Sequence, residues 1–134
     1  IDNARFRSNL GAVIGNGSST DALVISVNVR GADGVSAGTR TITVAPGNFT
    51  HLQFDARSMI GTRMLDIGSA EFRITAGSGA VVPYASVVDN ATADAVFVAG
   101  VFPNNNLAAG VLGAASTSTG GSIFRTLLDG VSNQ

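Results

Sequence analysis

The sequence predicts an all-β domain, an antiparallel β-sandwich of about seven strands followed by a short C-terminal helix. Three observations predict it. Short apolar/polar alternations recur along the chain, and Leu23-Val24-Ile25-Ser26-Val27-Asn28-Val29-Arg30 is the clearest of them. Clusters of Gly, Asn, Asp, Ser and Pro punctuate these runs at the spacing of a sandwich. The residues that usually clothe helix surfaces are scarce: all eight basic residues are Arg, and Glu71 is the one Glu among nine acids. Small and β-branched residues take their place, which suits strands and tight turns.

The first strand is read over 6–14 and ends in the Gly15-Asn16-Gly17-Ser18-Ser19-Thr20 turn. The second, 23–30, turns Leu23, Ile25, Val27 and Val29 inward, and a loop carries the chain to Gly38. The third, 39–45, points Ile42 and Val44 inward, and Pro46-Gly47-Asn48 turns it into the fourth, 49–54, with Leu52 and Phe54 on one face. Residues 55–67 break the rhythm. Met59, Ile60, Met64 and Leu65 lie close to one helical face, which predicts one or two short turns over an open end of the sandwich. Strands return at 70–76, 81–88 and 95–102, the last two joined by the loop 89–94. The predicted core is Leu10, Leu23, Ile25, Val27, Val29, Ile42, Val44, Leu52, Phe54, Phe72, Ile74, Val87 and Phe97. A slip of one residue would invert the whole set.

The sandwich domain is expected over 1–102 and a C-terminal extension over 103–134. The extension holds a slim apolar stretch (107–115), a Ser/Thr/Gly linker (116–121) and a helix (122–131). In the helix Ile123, Leu127 and Val131 sit four apart and Ser122 caps the start. The apolar stretch needs burial, so it is expected to lie along an exposed strand edge and supply missing backbone hydrogen bonds, either on its own chain as a lid on the fold or on another chain as the joint of an assembling subunit. Leu107, Val111, Leu112, Ile123, Leu127 and Val131 are the candidate assembly residues.

Composition excludes several functions. With 134 residues, a formal net charge of −1 and 13% charged residues, the chain has no basic field to bind nucleic acid. It has no apolar run near the ~18 residues of a membrane span. The absence of Cys removes disulfides, thiolate chemistry and Cys-ligated metal. Ile1 in place of Met reads as a processed product or a segment of a longer precursor. His51 is the one His, and no nucleophile elbow accompanies it. The carboxylates are scattered, so no enzyme activity and no cofactor are expected. The loop 89–94 is the richest oxygen cluster, and Asp89, Asn90 and Asp94 are its candidate Ca²⁺ ligands. The competing reading, a turn whose Asp89 and Asn90 side chains bond its own backbone, is preferred, and no metal is expected there. With no Trp and with Tyr84 the one Tyr, little is left for stacking on sugars. A binding module should show Tyr84 at the surface or a concave patch of ordered polar groups. An assembling module should show exposed apolar edges or a terminal segment packed on a neighbour.

Longer motifs carry a resemblance. Phe6-Arg7-Ser8-Asn9-Leu10-Gly11-Ala12-Val13, Val44-Ala45-Pro46-Gly47-Asn48, Gly68-Ser69-Ala70 with Phe72-Arg73-Ile74, and above all Tyr84-Ala85-Ser86-Val87-Val88-Asp89-Asn90-Ala91-Thr92-Ala93-Asp94-Ala95-Val96-Phe97-Val98 are similar to those of β-sandwich domains in secreted bacterial proteins. The resemblance covers about residues 5–100, with Ala93 standing where the pattern usually has Gly. It implies an Ig-like, extracellular or cell-surface, non-catalytic module, structural or adhesive. Its partner would be protein, either another copy or a neighbouring domain of the same precursor. The alternative is an accessory domain of a larger secreted enzyme that recognises polysaccharide or protein.

Overall fold

The computed structural model describes residues 1–101 and the backbone of one further strand, Ile123–Leu127. Its strands are β1 (Phe6–Asn16), β2 (Leu23–Gly31), β3 (Ser36–Val44), β4 (Phe49–Asp55), β5 (Gly68–Ala76), β6 (Gly79–Asp89), β7 (Ala95–Ala99) and β8 (Ile123–Leu127), with the single helical turn α1 (Arg57–Ile60) between β4 and β5. They form two antiparallel sheets, ordered β4-β1-β6-β7 and β3-β2-β5-β8. The chain crosses between sheets after β1, β3, β4, β5 and β7, while β2–β3 and β6–β7 stay in one sheet as consecutive neighbours.

Period-two alternation explains where the core lies. Leu10, Ala12 and Ile14 of β1 and Val81 and Ala85 of β6 share one buried cluster with Leu23, Ile25, Val27 and Val29 of β2 and Phe72 and Ile74 of β5. The register expected for β2, β3 and β5 is the one observed: Ile42 and Val44 are buried, whereas Val24 and Arg30 are half-buried on the other face. Where the open edges β3 and β4 meet, the Arg40 guanidinium sits 4.4 Å from the centre of the Phe54 ring, so Phe54 and Leu52 stay half-buried. α1 lies in the segment expected to turn; Ile60 at its end and Leu65 beyond it are buried, but Met64 is exposed.

Two buried polar side chains tie the ends of β1. Asp2, almost fully buried, accepts from the Ser8 N–H (2.9 Å) and from Arg57 Nε (2.5 Å), and its backbone pairs with Leu65. The hydrogen bond with Asp2, and then its charge, hold the Arg57 guanidinium above its ordinary pKa. At the other end, the Asn16 amide donates to the carbonyls of Asp21, Val44 and Ala45 at 2.8, 3.0 and 3.1 Å and accepts from the Ser18 N–H.

Two expectations are corrected. Phe97 is not a core residue: it is 67% exposed, because pairing with Ser86 turns it to the outer face. The segment expected as a helix contains a strand: Ile123–Leu127 pairs with β5 in the register Glu71↔Arg125 and Phe72↔Phe124. The physical reason is twofold. Strand β5 offers an unpaired edge, and the segment Ile123-Phe124-Arg125-Thr126-Leu127 is rich in β-formers. Val131, Leu107, Val111 and Leu112 lie outside the described residues, as does the rest of 102–122.

Candidate functional site

Strand alternation places one set of side chains on the outer face of the first sheet. On β1 these are Arg7, Asn9, Gly11, Val13 and Gly15. Register carries the set to Phe49, His51, Gln53 and Asp55 of β4, to Val82, Tyr84 and Ser86 of β6, and to Phe97 and Ala99 of β7. Most outer faces of such sheets are polar. This one carries four rings.

The Tyr84 ring lies low because the residue beneath it is glycine. A Cβ built on Gly11 would meet Tyr84 Cζ at 2.2 Å and its hydroxyl oxygen at 2.5 Å, so the Tyr84 ring occupies the space a side chain would need. Phe49, 74% exposed, stands beside Gly15, where a Cβ would meet its ring only at 3.5 Å, an ordinary contact. Tyr84 reaches across β1 to β4, where its Oη is 2.6 Å from His51 Nε2. A hydrogen bond joining two ring-edge atoms, with planes 13° apart and centres 5.8 Å apart, sets the rings side by side. Phe97 continues the row with its centre 5.3 Å from that of Tyr84 and its plane inclined by 27°. His51, Tyr84 and Phe97 thus form a band from one edge strand to the other. Beside it stand Asn9, Gln53 and Ser86, whose side chains make no hydrogen bond among the described residues. The charged groups near the band are engaged: Arg7 donates to the Asn90 side chain (2.7 Å), and Asp55 accepts from the Arg57 N–H (2.9 Å).

The loop 89–94 sits at the end of the β6–β7 hairpin. Asp89 accepts from the Ala91 N–H at 2.8 Å and from Arg5 Nε at 3.2 Å. Those two contacts, the backbone one first, hold its carboxyl below the usual carboxylate range. Asn90 does not bond its own turn with its side chain; it accepts from Arg7 and donates to the Ala4 carbonyl. The loop therefore binds the N-terminal segment to the hairpin. Ala93 closes it with φ 63°, the left-handed region that favours glycine. Among the described residues, no group of three or more His, Cys, Asp and Glu is placed to hold a metal ion.

Next to this loop, β7 is the edge of its sheet among the described residues. Ile1, Phe6, Val87 and Val96 line a hollow of about 410 Å³, with Arg5, Asp89, Thr92 and Asp94 also around it. Val96 is half exposed although its neighbours in register face the core, and Val101 is exposed just beyond the strand. The second sheet differs: β8 covers its β5 edge. No described helix is long and apolar enough to cross a membrane.

The sequence placed Tyr84 and His51 on separate strands but did not bring them together. Their meeting depends on β1 lying between β4 and β6, and outward Gly11 was the local sign that something had to approach the sheet closely. No family model, no curated protein and no solved structure matches the chain.

Proposed function

We propose that the chain is a non-catalytic, extracellular structural module of Ig-like sandwich architecture that assembles by β-strand addition. The observation that carries the reading is β8. A strand lying 21 residues beyond Val101 in sequence is the outermost strand of the second sheet, paired to β5 alone. The extension is thus a strand donor, and β7 with its apolar hollow is a second edge able to accept a strand. The 21 intervening residues could span about 70 Å if fully extended, enough to reach a neighbouring copy. Tethering gives the chain's own β8 an effective concentration on the order of millimolar. Dilute chains therefore keep the strand, and crowded copies share it. The stretch 107–115, with Leu107, Val111 and Leu112, is the donor for β7.

Two observations support a non-catalytic role. His51 pairs with a phenol rather than with a serine or a carboxylate, and Asp89 is committed to its turn. Extracellular placement rests on the resemblance to secreted domains. A second reading, an accessory binding domain, is favoured by the outer-face band in which exposed His51 and Phe97 flank half-buried Tyr84.

Sedimentation of the full chain from micromolar to millimolar concentration tests assembly. Dimers and larger species should grow with concentration. They should be lost in the double variant Phe124→Pro/Arg125→Pro, which removes ladder donors from β8, and reduced in Val111→Asp. A monodisperse monomer across the whole range overturns the proposal.

A further inference from the structure

We infer that the outer face of the first sheet is a binding site for the middle of a neutral polysaccharide chain. The inference rests on the binding reading and is independent of assembly. Exposed apolar side chains cost hydration free energy, and a contiguous apolar patch marks a contact surface; here exposed His51 and Phe97 flank the half-buried Tyr84 ring. This set has a particular form. His51 and Tyr84 are nearly coplanar, held edge to edge by the 2.6 Å hydrogen bond, and Phe97 extends the surface at a shallow angle. Ring centres 5.8 and 5.3 Å apart repeat at roughly the spacing of successive sugars in an extended chain.

Gly11 removes relief at the centre of the band: with no side chain there, Tyr84 lies low over β1. A flat apolar surface suits the C–H face of a pyranose ring. The groups beside it supply the rest of the recognition. Asn9, Gln53 and Ser86 carry amide and hydroxyl groups able both to donate and to accept, as sugar hydroxyls require. Charge selects within the class. Arg7 and Asp55 already have partners, and the groups left open are neutral, so the surface fits an uncharged glycan better than an acidic one. Because the band runs across the sheet from β4 to β7 and no described residue walls off either end, it takes the side of a chain rather than its terminus.

Native gels of the full chain cast with hydroxyethyl cellulose, laminarin, xylan or soluble starch test the inference. At least one polymer should retard the protein. Tyr84→Ala and Phe97→Ala should each weaken that binding by about tenfold, the loss of one ring contact. Gly11→Ala keeps every ring but raises the floor, and it should weaken binding too. Thr41→Ala, on the outer face of the second sheet, should leave it unchanged. Urea unfolding of each variant confirms that the fold is kept. Retardation by none of the four polymers, or retardation indifferent to both ring substitutions, overturns the inference. If in that case Tyr84→Ala abolishes self-association, the face binds protein and only the sugar assignment falls. If Tyr84→Ala changes neither, the binding reading falls with it.

Discussion

Ala93 is held at φ 63° by the hydrogen bonds that close the hairpin, from its own N–H to the Asp89 carbonyl and from the Asp89 N–H to the Asp94 carbonyl. A Cβ in this region costs about 1 kcal/mol. Ala93→Gly should raise stability by about 0.5 kcal/mol after the added freedom of the unfolded chain is subtracted, seen as a higher urea midpoint at unchanged slope. Asp89 makes a complementary prediction. Its carboxyl is held below its ordinary value by the Ala91 N–H and by Arg5. Its contribution is therefore complete above the unfolded carboxylate range, near pH 4, and is lost as pH falls through the lower folded value. The stability difference between wild type and Asp89→Asn should shrink in acid and be constant from about pH 5 to neutrality. A difference that grows on acidification would contradict the assignment. The turn character of 89–94 was legible from its Asx and Thr residues. The reach of Asn90 to Arg7 was not, because it depends on strand pairing between segments 83 residues apart.

Among the elements, those with one apolar and one polar face were legible to the residue. β2 alternates Leu23, Ile25, Val27 and Val29 against Val24, Ser26, Asn28 and Arg30, and its burial follows that pattern. β7 was not legible in this way. Ala95-Val96-Phe97-Val98-Ala99 is apolar on both faces, so nothing local says which side Phe97 takes; only its pairing with β6 does. The expected C-terminal helix misled for a related reason. A spacing of four, Ile123 to Leu127, suits one helical face and also one face of a strand, and the edge of β5 decides between them. Element ends also depend on contacts that pattern does not show. Asn16 serves three carbonyls from two separate turns. Asn16→Ala should cost about 1–3 kcal/mol and speed amide exchange in the segment 17–22 and in the turn 45–48. Unchanged exchange there would show that the turns hold without it.

At the scale of the molecule, composition and rhythm indicated two sheets around a common core, and they are present. The fourth strand of the second sheet was not foreseen, since a donor separated by 21 residues leaves no hairpin signal. The same separation underlies the assembly proposal, because a strand joined by a long connection can serve its own sheet or another's. The absence of Cys makes a clean test possible. Arg73 and Ile123 are partners across β5 and β8. Chains carrying only Arg73→Cys are mixed with chains carrying only Ile123→Cys and oxidised at rising protein concentration. The account predicts a disulfide-linked heterodimer whose yield climbs toward millimolar protein. No such product at any concentration, while the double variant Arg73→Cys/Ile123→Cys closes within a single chain, would make β8 a fixed part of its own sheet and contradict assembly by strand addition.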